Sequence, residues 1–157
     1  MHVLIATDAQ WVLDEVVAAL GSPSTSFQVV TNGRKVADVV AERTPDIAIL
    51  DLQVGTMGGM AITMDLRLDA SSGILPHVPV LMLLDRHVDI HMARRSGANG
   101  WIIKPLDALR LRRAVTEIVN GGCYAEGIDQ PADADEDLVA GSDEAEAVGE
   151  TADSLAQ

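Results

Sequence analysis

DIAILDLQVGTMGGM (46–60) decides the fold. Its opening residues run almost without polar interruption to Asp51, then give way to a loop rich in glycine and to a stretch with helical spacing. A central parallel strand, covered by helices on both faces, needs apolar residues at nearly every position, and a run this short is not a helix. VPVLMLL (78–84) has the same character, and VLIAT (3–7), FQVV (27–30) and GWII (100–103) supply three more strand candidates. Helix candidates lie between and after them, near 10–20, 34–43, 58–69, 86–96 and 107–120. This alternation predicts an α/β architecture, a doubly wound five-stranded parallel sheet.

Local signals agree with these boundaries. Thr44-Pro45 stops the second helix, because the residue before proline avoids the right-handed helical region. Gly97, after Arg94 and Arg95, reads as a C-terminal stop with cations set against the helix dipole. Asp107 is a candidate N-cap for the last helix, in which Leu111, Val115, Ile118 and Val119 form an inward stripe. SSGILPH (71–77) reads as a loop, and Asp85 as the N-cap of a helix starting at Arg86.

The chain has 157 residues, 48% hydrophobic and only 3% aromatic, which suits one core built from aliphatic side chains. Its net charge of −13 is unevenly spread. Residues 1–124 carry 13 acids against all 11 bases, and residues 125–157 carry the other 11 acids and no Lys or Arg. Two regions follow: a folded domain over 1–122 and an acidic tail over 123–157, whose Ala, Gly, Asp and Glu composition predicts disorder. A nearly neutral domain with an acidic tail lacks the clustered cations that nucleic-acid binding requires. Cys123 is the only cysteine, so an intramolecular disulfide is ruled out and a cytoplasmic setting is expected. No run reaches the length of a membrane span, so no membrane insertion is expected.

In open α/β sheets, ligands bind beyond the carboxyl ends of the strands. Those ends offer Thr7 and Asp8, Asp51, Leu84 and Asp85, and Lys104-Pro105. Asp8 and Asp51 could share a Mg²⁺, a cation that prefers oxygen ligands and keeps several waters. Lys104 could neutralise a phosphoryl oxygen, and Asp51 could accept the group as an aspartyl phosphate. The bland reading makes the same residues solvated remnants of an ancestral site.

DIAILDLQVGTMGGM (46–60), VPVLMLLD (78–85) and RRSGANGWIIKPLD (94–107) together resemble the receiver domains of bacterial two-component response regulators. The resemblance runs from about residue 2 to 121. Its most specific part is a strand-end Asp, Gly59 eight residues on, and a later G-A-x-x-aromatic-x-x-K-P. It implies a flavodoxin-like strand order of 2-1-3-4-5. It implies too that Asp51 is the phosphoacceptor, Lys104 the phosphoryl contact, Trp101 the switch aromatic, and the Lys104-Pro105 bond cis. The metal ligands it implies are Asp8, Asp51 and the backbone carbonyl of Gln53.

Four positions depart from the family pattern. Thr7 stands where a second acid is usual, which weakens Mg²⁺ binding, though its hydroxyl could hold a water instead. Leu84 stands where the family has a Ser or Thr that bonds the phosphoryl group. Asp85 replaces a small residue and brings a carboxylate close to where a phosphoryl group of about −2 charge would sit. Gly55 replaces a proline. A stand-alone, non-enzymatic receiver follows, working as a protein-interaction module through residues 86–121 with little or no dependence on phosphorylation. The rival is a working switch in which a histidine kinase phosphorylates Asp51. The homodimer is left open.

Other features have plainer readings. His87 and His91 have the spacing of a two-histidine metal face but no third ligand. Met57, Met60, Met64, Met82 and Met92 read as core or loop packing. Arg110, Arg112 and Arg113 read either as a solvated face or as a docking patch for a protein or for the chain's own tail.

Overall fold

Side chains alternate across a strand, so each buried strand feeds two cores at once. In β1 (His2–Ala6), Val3 and Ile5 face one side of the sheet while Leu4 and Ala6 face the other. In β3 (Ile47–Asp51), Ile47 and Ile49 join the first core, and Ala48 and Leu50 the second. The first core is closed by Val12, Val16, Ala19 and Leu20 of α1 (Gln10–Leu20) and by Leu111, Ala114, Val115 and Ile118 of α5 (Ala108–Val119). The second is closed by Val36 and Val40 of α2 (Val36–Glu42) and Ile62 and Leu66 of α3 (Gly59–Ser71). A third cluster joins Leu52, just after β3, to Met82 and Leu84 of β4 (Val80–Leu84), Trp101 of β5 (Gly100–Ile103) and Ala93 of α4 (Ile90–Ser96).

This computed structural model describes residues 1–127. The expectation for the remaining tail, residues 128–157, lies outside the described residues. All strand pairs are parallel, and with β2 (Ser26–Val30) the first five strands take the expected order 2-1-3-4-5. Asp107 accepts hydrogen bonds from the amides of Leu109 and Arg110, and Gly97 ends α4 in the left-handed region at φ 83°. Among the described residues, no helix is long and apolar enough to cross a membrane.

Five expectations need correction. A sixth strand, β6 (Tyr124–Ala125), pairs in parallel with β5, so the folded part passes residue 122 and the expected tail boundary is displaced. Composition hid it because a two-residue strand needs no hydrophobic run, only an open edge. The expected helices at 34–43 and 86–96 begin as 3-10 turns, Gly33–Lys35 and His87–Asp89. Asp85 caps no helix: Arg86 precedes the turn and pairs with the buried Asp89 at 3.0 Å. Val119 lies outside the inward stripe of α5, and Met64 on α3 is exposed rather than packed.

Candidate functional site

The register sets Ala6 beside Leu50, Asp51 beside Leu83 and Leu84 beside Ile103, so four strands end along one rim. The residues that follow, Thr7, Asp8, Asp85 and Lys104, therefore gather around Asp51. Gly59 lets α3 start close against this rim. Its amide donates to the Leu52 carbonyl at 3.2 Å, and a Cβ there would lie 2.6 Å from the Asp51 carbonyl oxygen. That is the physical reason for the glycine eight residues after the aspartate.

Asp51 is 2% exposed, and both its oxygens have donors. Lys104 Nζ donates to Oδ1 at 2.7 Å, joined by the Gln53 amide at 3.2 Å, while the Thr7 hydroxyl donates to Oδ2 at 2.9 Å. Lys104 also reaches Asp85, 3.0 Å from Oδ1, and its ammonium lies 5.5 Å from the ring centroid of Trp11. Burial opposes the charge of Lys104, but hydrogen bonds and attraction from Asp51 and Asp85 outweigh it and raise the pKa above its ordinary value. Lys104-Pro105 is cis, as the resemblance implied.

Asp8 is exposed and turned to the loop after β3, where its Oδ2 accepts the Gly55 amide at 3.0 Å. Proline at 55 would have no such donor, so this departure from the family pattern ties Asp8 to the loop. The next residue, Thr56, is held in the left-handed region at φ 71°, uncommon for a β-branched residue, and its hydroxyl donates to Asn32 at 2.6 Å. Asp8, Asp51 and the Gln53 carbonyl are oxygen donors of the kind Mg²⁺ takes. The fit is partial, because Thr7 sends Asp51 a hydrogen-bond donor where a second carboxylate would add charge.

Leu84 is fully buried and offers no hydroxyl to this rim. Trp101 is turned inward at 6% exposure, with the Arg94 guanidinium 6.0 Å from its ring centroid. The indole Nε1 donates to the Glu126 carbonyl at 2.9 Å. His87 and His91 gather no third ligand, His91 Nδ1 lies 2.6 Å from the Val88 carbonyl, and the described residues hold no cluster of three metal-ligating side chains. The three arginines of α5 are not one patch. Arg110 binds the Ile103 carbonyl and Glu126, Arg112 binds the Ala19 carbonyl at 2.6 Å, and Arg113 pairs with Glu117.

Sequence reasoning placed every rim residue but missed three connections: the direct Thr7–Asp51 bond, the Asp85–Lys104 pair and the role of Glu126. A carboxylate at 85 beside a lysine-bearing rim was a usable signal for the second. Nothing in the composition after residue 122 marked the third.

The response regulator receiver domain family matches residues 3–116, most of the described chain. The transcriptional regulator NtrC of Escherichia coli is 29% identical over 101 residues, which cover 62% of this chain and 20% of that protein. Protein PilH of Pseudomonas aeruginosa is 23% identical over 120 residues, covering 76% of this chain and 98% of that protein. The chain thus spans about a fifth of the first relative and nearly all of the second. The receiver domain of the sensor histidine kinase PA1611 from P. aeruginosa, solved with magnesium in its active-site cleft, has the same fold. Its TM-score is 0.63 at 18% identity, over 76% of this chain and 97% of that one. Receiver domains are signalling modules, and with the family match covering the first five strands and the whole acidic rim, this chain belongs to the response regulator receiver domain family.

Proposed function

We propose that this receiver is an atypical one, a protein-interaction module that docks through about residues 86–121 and depends little or not at all on phosphorylation. The observation that carries this reading is the sharing of Lys104 between Asp51 and Asp85. A phosphoryl group on Asp51 would enter beside the Asp85 carboxylate and compete with it for the same ammonium. With Leu84 at the end of β4, the phosphorylated state gains no hydroxyl contact there, and a population shift can be no larger than the differential contacts that drive it. Mg²⁺ binding through Asp8, Asp51 and the Gln53 carbonyl is correspondingly weak.

A second reading is favoured by the Lys104–Asp51 bond itself: a phospho-accepting switch, served by a histidine kinase, with Asp51 as acceptor. Trp11 and Trp101 separate the two readings. Mg²⁺ is titrated first, then beryllofluoride, and tryptophan fluorescence is followed in the wild type and in Asp51→Asn. The interaction module predicts no saturable change in either protein. A saturable change that needs Mg²⁺ and disappears in Asp51→Asn establishes the switch instead.

A further inference from the structure

The face assigned above to docking is already occupied in part by the chain itself. After α5 the backbone turns at Gly121, φ 88°, and returns along the outer edge of β5, where the Tyr124 amide donates to the Asn99 carbonyl at 3.2 Å. The edge is shaped for this approach, since a Cβ at Gly100 would overlap the Tyr124 carbonyl oxygen and sit 2.8 Å from Ile118 Cδ1. Beyond the two paired residues, Glu126 fastens the segment. Its carbonyl accepts the Trp101 indole proton, and its carboxylate accepts the Ile103 amide at 3.0 Å. Arg110 brings Nε to 2.9 Å and Nη2 to 3.2 Å of that carboxylate, and the Tyr124 hydroxyl donates to it at 3.3 Å. Gly127 then passes close against Ile90 and His87, where a Cβ would meet Ile90 Cδ1 at 2.9 Å. The segment thus runs between α4 and α5, and the only aromatic of β5 is capped by it.

We propose that the outer edge of β5 is a recognition edge for an extended acidic peptide, held in the resting chain by its own Tyr124–Gly127, which an output partner must displace. The idea rests on the reading that residues 86–121 dock a protein. The chemistry is that of strand addition: main-chain hydrogen bonds along Gly100–Ile103 bind any extended segment, while Arg110 and the backbone amide of Ile103 select a carboxylate. The chain's own segment is a resident competitor, at an effective concentration of about millimolar order.

The full-length chain, its Glu126→Ala and Glu126→Lys variants, and the synthetic peptide Ser-Tyr-Ala-Glu-Gly (residues 123–127 with Cys123→Ser) test this without Mg²⁺ or any phosphoryl mimic. Failure here leaves the reading of the acidic rim standing, and a phospho-switch at Asp51 leaves this test untouched. Three results are expected. Hydrogen exchange at the Trp101 indole speeds up roughly tenfold or more in both variants, as loss of charge-assisted bonds implies, while the unfolding midpoint changes little because Glu126 belongs to none of the cores. Tyr124, the only tyrosine in the chain, titrates above its ordinary value in the wild type. Burial and Glu126 raise it against the opposing pull of Arg110 and Arg113, so it shifts downward in the variants. The peptide, followed by chemical shifts at Ile103 and Arg110, binds Glu126→Lys at least about tenfold more tightly than the wild type, where the tethered segment competes. Unchanged indole exchange overturns the proposal, as does absence of peptide binding to both variants. Dimerisation of the variants without peptide binding also overturns it and assigns the edge to a second copy.

Discussion

At the scale of single residues, the rim is a chain of donors and acceptors in which Lys104 is the hinge. Thr7 and Lys104 hold the two oxygens of Asp51, and Asp85 takes the other side of the ammonium. Because the folded-state pKa of Lys104 is raised, its contribution to stability is complete below the unfolded value near 10.5 and is lost as pH rises through the higher folded value. Denaturation by urea between about pH 9 and 12 checks this. The wild type loses stability in that window relative to Lys104→Met, and in Asp85→Asn the loss is smaller and is complete at lower pH, because one of the two raising partners has gone. Thr7, Asp51 and Lys104 were placed on one rim by strand ends alone. The hydroxyl's direct bond to Asp51 was not legible, since a threonine after a strand bonds equally well to water or to its own backbone. The Gly55 tie to Asp8 shows the same limit, because an amide gained by losing proline has meaning only once its acceptor is near.

At the scale of elements, the four inner strands were legible because two faces of burial leave an apolar run, and the carboxyl ends of the strands followed to within about one residue. Helix starts were less so. The 3-10 turns before α2 and α4 depend on Asn32, which accepts the Arg34 amide at 3.1 Å, and on the buried Asp89 pairing with Arg86. Both are contacts that a hydrophobic period does not encode. The junction of β3 and α3 makes a sharper expectation. Gly59→Ala places a methyl group 2.6 Å from the Asp51 carbonyl oxygen, so α3 must retreat from the rim. Overpacking of this kind costs about 1–3 kcal/mol, measurable as a lower urea midpoint at unchanged slope. Fluorescence of Trp11, beside Lys104, should shift with it as the rim opens.

At the scale of the whole molecule, two aliphatic cores lie on opposite faces of one sheet and share its strands, so they cannot melt apart. Leu81 belongs to the core under α1 and α5, and Leu50 to the core under α2 and α3. Leu81→Ala and Leu50→Ala should each cost about 2–5 kcal/mol and lower one common transition, seen alike by fluorescence and by circular dichroism. Two separate transitions would mean the faces fold independently. The sequence by itself determined the α/β class, the first five strands, the identity of the rim residues and the family, because apolar strand runs and strand-end chemistry are written in local order. Strand order came with the family resemblance, since periodicity does not say which strand lies beside which. Only the tertiary structure decided the pairing of Lys104 with two carboxylates, the capture of Asp8 by its neighbouring loop and the return of residues 124–127 along β5. Each of these joins groups far apart in the chain, and such contacts exist only after the sheet has brought their partners within hydrogen-bonding distance.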